Sequence, residues 1–133
     1  MRVEAERWLH YANEDMVTAR VTLAGKRWAA TSFHAQQAAE KALKALWLER
    51  QGQEPPRVHD LVRLAEEVGL PSEWFEEIDV LSRVYVVSRY PGAAAEDEPP
   101  YGISAEAATL HLALAERIIE WINGQLSTES SSD

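Results

Sequence analysis

Between Ser32 and Leu46 the chain reads SFHAQQAAEKALKAL, and its spacing admits a helix with two unlike faces. Ala38, Ala42, Ala45 and Leu46 recur at helical intervals suited to packing, while Gln37, Lys41 and Lys44 stack at i, i+4 and i+7 along another stripe. Two of the three lysines in the chain stand on that stripe. The reading predicts a polar edge outside the apolar interior, meeting the exits of the third and fourth helices in a shared polar recess.

Glycine and proline then divide the chain into helices. Gly25, Gly52 and Gly69 each close an amphipathic segment, and Pro55-Pro56, Pro71, Pro91 and Pro99-Pro100 fall between segments. Five helices are expected. The first, over about Val3 to Ala24, carries Ala5, Trp8, Leu9, Ala12, Met16, Ala19 and Leu23 on one stripe. The second runs from Thr31, read as its N-cap, to Arg50, and the third from about Val58 to Val68. The fourth opens with Ser72 as N-cap, packs through Phe75, Ile78, Leu81 and Tyr85, and ends near Arg89, because Tyr90 precedes a proline. The fifth spans Ser104 to about Asn123, with Ala107, Leu110, Leu114, Ile118, Trp121 and Ile122 read as inward. Val84, Val86 and Val87 raise β propensity, but a lone strand has no partner. The expected class is all-α, an antiparallel up-and-down bundle of four to five helices in one domain over residues 1–126, with a disordered polar tail over 127–133. The loop from Pro91 to Gly102 has an acidic centre and a length typical of functional segments.

At 133 residues and 46% hydrophobic content the chain buries a core without staples, and with no cysteine it has neither disulfides nor zinc-thiolate sites. The N-terminal MRVEAERWLH lacks the apolar run of a signal peptide and no window approaches a membrane span, so a cytoplasmic location is expected. A formal charge of -9 argues against gripping RNA along a broad surface. The charge is uneven: residues 27–63 carry a net +2, enough for one phosphate group or a short contact, and residues 64–133 carry -11.

Several chemistries are excluded by missing parts. The isolated glycines form no phosphate loop or dinucleotide fingerprint, and no Gly-x-Ser-x-Gly elbow occurs. None of His10, His34, His59 or His111 has a glutamate three residues before it, and the single His10 and Glu14 pair is too weak to hold a metal, so neither metal nor cofactor is expected. What remains is a set of polar residues at helix ends. Lys41 and Lys44, joined by Arg83 or Arg89, would present cations to a phosphate; otherwise Glu40 and Lys44 form an exposed i, i+4 pair worth roughly 0.3 kcal/mol. His59, after the proline turn, either closes the third helix or bonds a neighbouring loop. Arg89 and Tyr90 at the fourth helix exit face a phosphate or a partner.

The run QQAAEKALKA from Gln36 to Ala45, with His59-Asp60-Leu61 and Arg89-Tyr90-Pro91, resembles the HEPN family of small helical proteins over most of the chain. The resemblance implies a helical bundle, a homodimer, a nucleotide-binding role and a partner, a minimal nucleotidyltransferase, in a toxin and antitoxin type of pair. Gln37, Lys41, Lys44, His59, Arg89 and Tyr90 are the expected contact residues for a nucleoside phosphate or that partner. Many members of the family are metal-independent ribonucleases with an Arg-x4-6-His motif, in which histidine moves the proton and arginine stabilises phosphorane charge. This chain departs from that pattern: after Arg83 and Arg89 the next histidine is His111, and Arg27 to His34 lies at the wrong helix. A non-catalytic binding module is therefore the expected role, with a ribonuclease toxin using Arg27 and His34, or Arg89 and His59, as the alternative.

Overall fold

The computed structural model describes residues 1–89 and 102–131. These residues form five helices and no strand: α1 Val3–Ala24, α2 Trp28–Gln51, α3 Leu61–Val68, α4 Phe75–Arg89 and α5 Ala105–Ser131, with a single 3-10 turn at Ser72–Trp74 before α4. None of the described helices is long and apolar enough to cross a membrane.

The alanine-rich α2 is the hub. It packs against α1, α3, α4 and α5, and thirteen of its 24 residues are buried, among them polar Thr31, Ser32, Gln36, Glu40 and Lys44. A helix packed against four others needs small residues for close approach, which its five buried alanines supply. Leu43, Leu46, Leu61, Leu64, Ile78, Leu81, Ile118 and Ile122 fill the centre and are fully buried. Truncating any one of these leucines to alanine costs about 2–5 kcal/mol, because the lost contacts leave a cavity that relaxes only in part.

Pairing between α1 and α2 is antiparallel: Thr22 meets Thr31, Asp15 meets His34 and Lys41, and Trp8 meets Lys44. Their far ends are pinned as well. Arg2 donates its backbone N–H to Glu49 Oε1 at 2.7 Å and its Nε to the Glu49 carbonyl at 3.2 Å. Gly52 ends α2 with φ +69°, and a Cβ there would stand 2.9 Å from the Arg2 guanidinium. The left-handed backbone is what favours glycine, since the Arg2 side chain could swing away from a Cβ.

Four boundaries differ from the sequence reading. Ser72 is not the N-cap of the fourth helix: it opens the 3-10 turn Ser72–Trp74 behind Pro71, and α4 begins at Phe75. Thr31 is not the N-cap of α2, which begins a turn earlier at Trp28; its hydroxyl donates back to the Arg27 carbonyl at 3.0 Å, as threonine does inside a helix. Helix α3 begins at Leu61, because Asp60 is its cap and accepts from the N–H groups of Val62 and Arg63 at 3.0 and 3.3 Å. His59 therefore lies in the turn before the helix. Helix α5 runs past Asn123 to Ser131, since its buried stripe continues through Ile122 to Leu126 and Gly124 alone does not stop it.

The face of α5 also corrects the reading. Leu110 is exposed, while Ala108, Leu112, Ala115, Ile118, Ile119 and Ile122 are buried. The expected Leu114, Ile118 and Ile122 are buried and Trp121 packs against the core, so the error is local: beside Leu110 it is the polar His111 that turns towards α2. At the N-terminus of α5 the expectation holds: Ser104 Oγ accepts from the Ala107 N–H at 3.0 Å.

A buried carboxylate cluster on the central helix

Gln36, Glu40 and Lys44 stand one turn apart on α2, and their side chains meet. Glu40 Oε2 accepts from Lys44 Nζ at 3.1 Å, and Oε1 accepts from Gln36 Nε2 at 3.1 Å. His59 closes the carboxylate from the turn before α3, its Nδ1 lying 3.0 and 3.1 Å from the two oxygens. A carboxylate only accepts, so the proton of this bond resides on Nδ1, which fixes the tautomer of neutral His59. Gln37 extends the network by donating Nε2 to Gln36 Oε1 at 2.7 Å.

Glu40 and Lys44 are both buried, whereas 46% of the His59 side chain is exposed. Trp8 of α1 covers the lysine, its ring centroid 5.5 Å from Nζ, a cation–π contact strengthened by the dry surroundings. No buried side-chain nitrogen or oxygen among the described residues lacks a partner. The arrangement neutralises Lys44 within the protein and presents one ring, His59, to the outside.

Lys41 takes a different course. It pairs with Asp15 Oδ2 of α1 at 2.6 Å, and the other oxygen of Asp15 receives His34 Nδ1 at 3.0 Å. The two lysines read as one phosphate-facing pair thus serve two separate carboxylates. The exposed Glu40 and Lys44 pair of the alternative reading is likewise corrected: that pair is buried, because Trp8 of α1 and the turn that carries His59 cover it.

The polar stripe of α2 meets the entrance of the third helix instead of its exit, through His59, and the meeting involves Lys44 and, by way of Gln36, Gln37. The side chain of Arg89 and the whole of Tyr90 lie outside the described residues. Glu40 as organiser, Gln36 as its third donor, Asp15 as the anchor of Lys41 and Trp8 as cover were missed. The available signal was the spacing Gln-x3-Glu-x3-Lys in an alanine background, which marks a polar stripe that must be internally satisfied.

Two open grooves flank the segment that carries His59. One, of about 350 Å³, is lined by Glu4, Arg7, Trp8, Tyr11 and Glu54, and the other, of about 470 Å³, by Trp47, Gln51, Glu54, Pro56, Arg63 and Glu67. Their linings mix acids, bases and aromatics. Among the described residues no three histidine, aspartate or glutamate side chains are grouped to hold a metal ion. His111 Nδ1 lies 2.7 Å from Ser32 Oγ, and burial lowers the histidine pKa below its ordinary value. Ser32 is wholly buried, so this pair clamps α5 to α2 and offers no nucleophile to a substrate.

Residues 5–125 match the HEPN domain family. Among solved structures, TT1696 from Thermus thermophilus is similar with a TM-score of 0.81 and 30% identity, over 92% of this chain and 98% of that one. ST0689, described as an archaeal HEPN homologue, is similar with a TM-score of 0.75 and 31% identity, over 91% and 96%. No curated protein matches the chain.

Proposed function

Because the chain belongs to the HEPN domain family, we propose that it is a non-catalytic recognition module of a toxin and antitoxin type of pair, working as a homodimer that holds a minimal nucleotidyltransferase protein. The observation that carries this reading is the self-neutralised state of the polar sites on α2. A phosphate cage needs cations left over for its ligand, and here Lys44 is committed to Glu40 and Lys41 to Asp15. What the surface offers is the half-exposed His59 ring and neighbouring grooves with Trp8, Tyr11 and Trp47, the aromatic and mixed-polar character of a protein interface. The net charge of -9 points the same way, away from RNA.

A nucleoside phosphate is the second reading, favoured by one feature. Residues 27–63, which carry α2 and His59, hold a net +2 in an otherwise acidic chain, enough for one phosphate group. In either reading Gln37, Lys41, Lys44, His59, Arg89 and Tyr90 are the proposed contact or supporting residues. The ribonuclease alternative has no support of this kind: of its two pairs, His34 is bonded to Asp15 and the side chain of Arg89 lies outside the described residues.

Titrating the chain with the product of its adjacent gene, and separately with ATP and GTP, tests the proposal. A stable complex with the protein is expected, weakened about tenfold, or 1.4 kcal/mol, by His59→Ala. Saturable nucleotide binding without a protein complex would transfer the function to the second reading, and silence in both titrations would remove both.

A further inference from the structure

His59 owes its place to more than its ring. Its carbonyl and the N–H of Leu61 bracket the Asp60 cap, and both are main-chain groups at the mouth of a helix, where the first N–H groups have no partner within the helix. A single side chain from another element serves both. Ser82 of α4 accepts from the Leu61 N–H at 3.0 Å and donates its hydroxyl to the His59 carbonyl at 3.3 Å. The turn is thus held from two sides, by α2 through Glu40 on the ring and by α4 through Ser82 on the backbone.

We propose that Ser82 is the positioning residue of the His59 site, so that α4 sets where the imidazole stands against Glu40. This rests on the reading of His59 as a contact residue, although the geometry is independent of what it contacts. Without the hydroxyl, the Leu61 N–H and the His59 carbonyl both lose the bond that Ser82 gives them, and the turn reorganises towards water. The ring follows its backbone, and Nδ1 leaves the carboxylate.

The test reads the imidazole nitrogens of the full chain by nuclear magnetic resonance, with no partner present. In the wild type His59 gives the signature of a single Nδ1-protonated or doubly protonated ring. Ser82→Ala shifts it towards the averaged tautomers of an exposed ring such as His10, while Ser82→Thr, which keeps a hydroxyl, retains the wild-type signature. Asp60→Ala, which removes the cap without touching Ser82, lowers stability and leaves the signature in place. Affinity for the adjacent gene's product falls roughly threefold to tenfold in Ser82→Ala, the span of one ordinary hydrogen bond. An unchanged His59 signature in Ser82→Ala, or an equal shift in Asp60→Ala, overturns the proposal. Should Ser82→Ala not fold, exchange of the Leu61 amide in the wild type decides: protection supports the bond, and exchange at the rate of a free amide overturns it. Loss of partner binding in the wild type would defeat the functional reading and leave the spectrum to judge Ser82 alone.

Discussion

Two carboxylates in this molecule each hold one lysine and one histidine, and they do so at different depths. Glu40 is 5% exposed and Lys44 7%, and a third donor, Gln36, completes the shell. Asp15 is 13% exposed, with Lys41 at 26% and His34 at 29%, and the cluster lies between α1 and α2 with water at its edge. The formal charges match, but the consequences of losing a partner do not. Near the surface, water re-solvates the survivor and screening weakens the pair; in the interior an abandoned charge has nowhere to go. Burial, and not the identity of the residues, makes the Glu40 cluster the one that organises its surroundings.

The largest expected effect follows directly. Glu40→Ala leaves the Lys44 ammonium buried under Trp8 without its counter-ion and destabilises the fold by about 3–5 kcal/mol, measured by urea unfolding. A cost near that of an exposed pair, below about 1 kcal/mol, would erase the distinction between the clusters. Next in size is Asp15→Ala, expected to cost on the order of 1–2 kcal/mol, and less in 1 M salt than in dilute buffer, because Lys41 and His34 reach water once freed.

His111, which has no carboxylate beside it among the described residues, gives the smallest effect and isolates what burial does on its own. Burial lowers the pKa of His111 beneath the ordinary 6.5, so between the two values the unfolded chain binds a proton that the folded chain does not. Its contribution is therefore complete above pH 6.5 and is lost as pH falls through the folded-state value. Replacing His111 with Gln should flatten the slope of stability against pH in that acidic window, followed by thermal melts. An unchanged slope would remove His111 as its source.

Much of the architecture was legible from the residues. The stripe of α1 and the breaks at Gly25, Gly52 and Gly69 all follow from periodicity and helix stops. Helix α4 continues through Val84 despite its β-branched residues, since buried packing outweighs a weak local preference. Polar residues on inward faces were the ones misread. On α5 Leu110 was read as inward where His111 is the residue that turns to α2, and Glu40 and Lys44 looked like a solvated pair, because spacing along one helix carries no information on how many neighbours surround it. His59 and Lys44 were rightly set together, yet Glu40 between them was legible only as a pair partner. Ser82 left no trace in the sequence, since a serine in a helix gives no sign that it bridges a distant turn.

The most direct test of the buried cluster is a double-mutant cycle on Glu40 and Lys44, using Glu40→Leu, Lys44→Met and the two together, with stability from urea unfolding. If the pair is a desolvated unit, each single change is costly and the double variant recovers most of the loss, giving a coupling of about 2 kcal/mol or more. Single changes that simply add, with coupling below about 0.5 kcal/mol, would contradict the account and return Lys44 to an ordinary surface position.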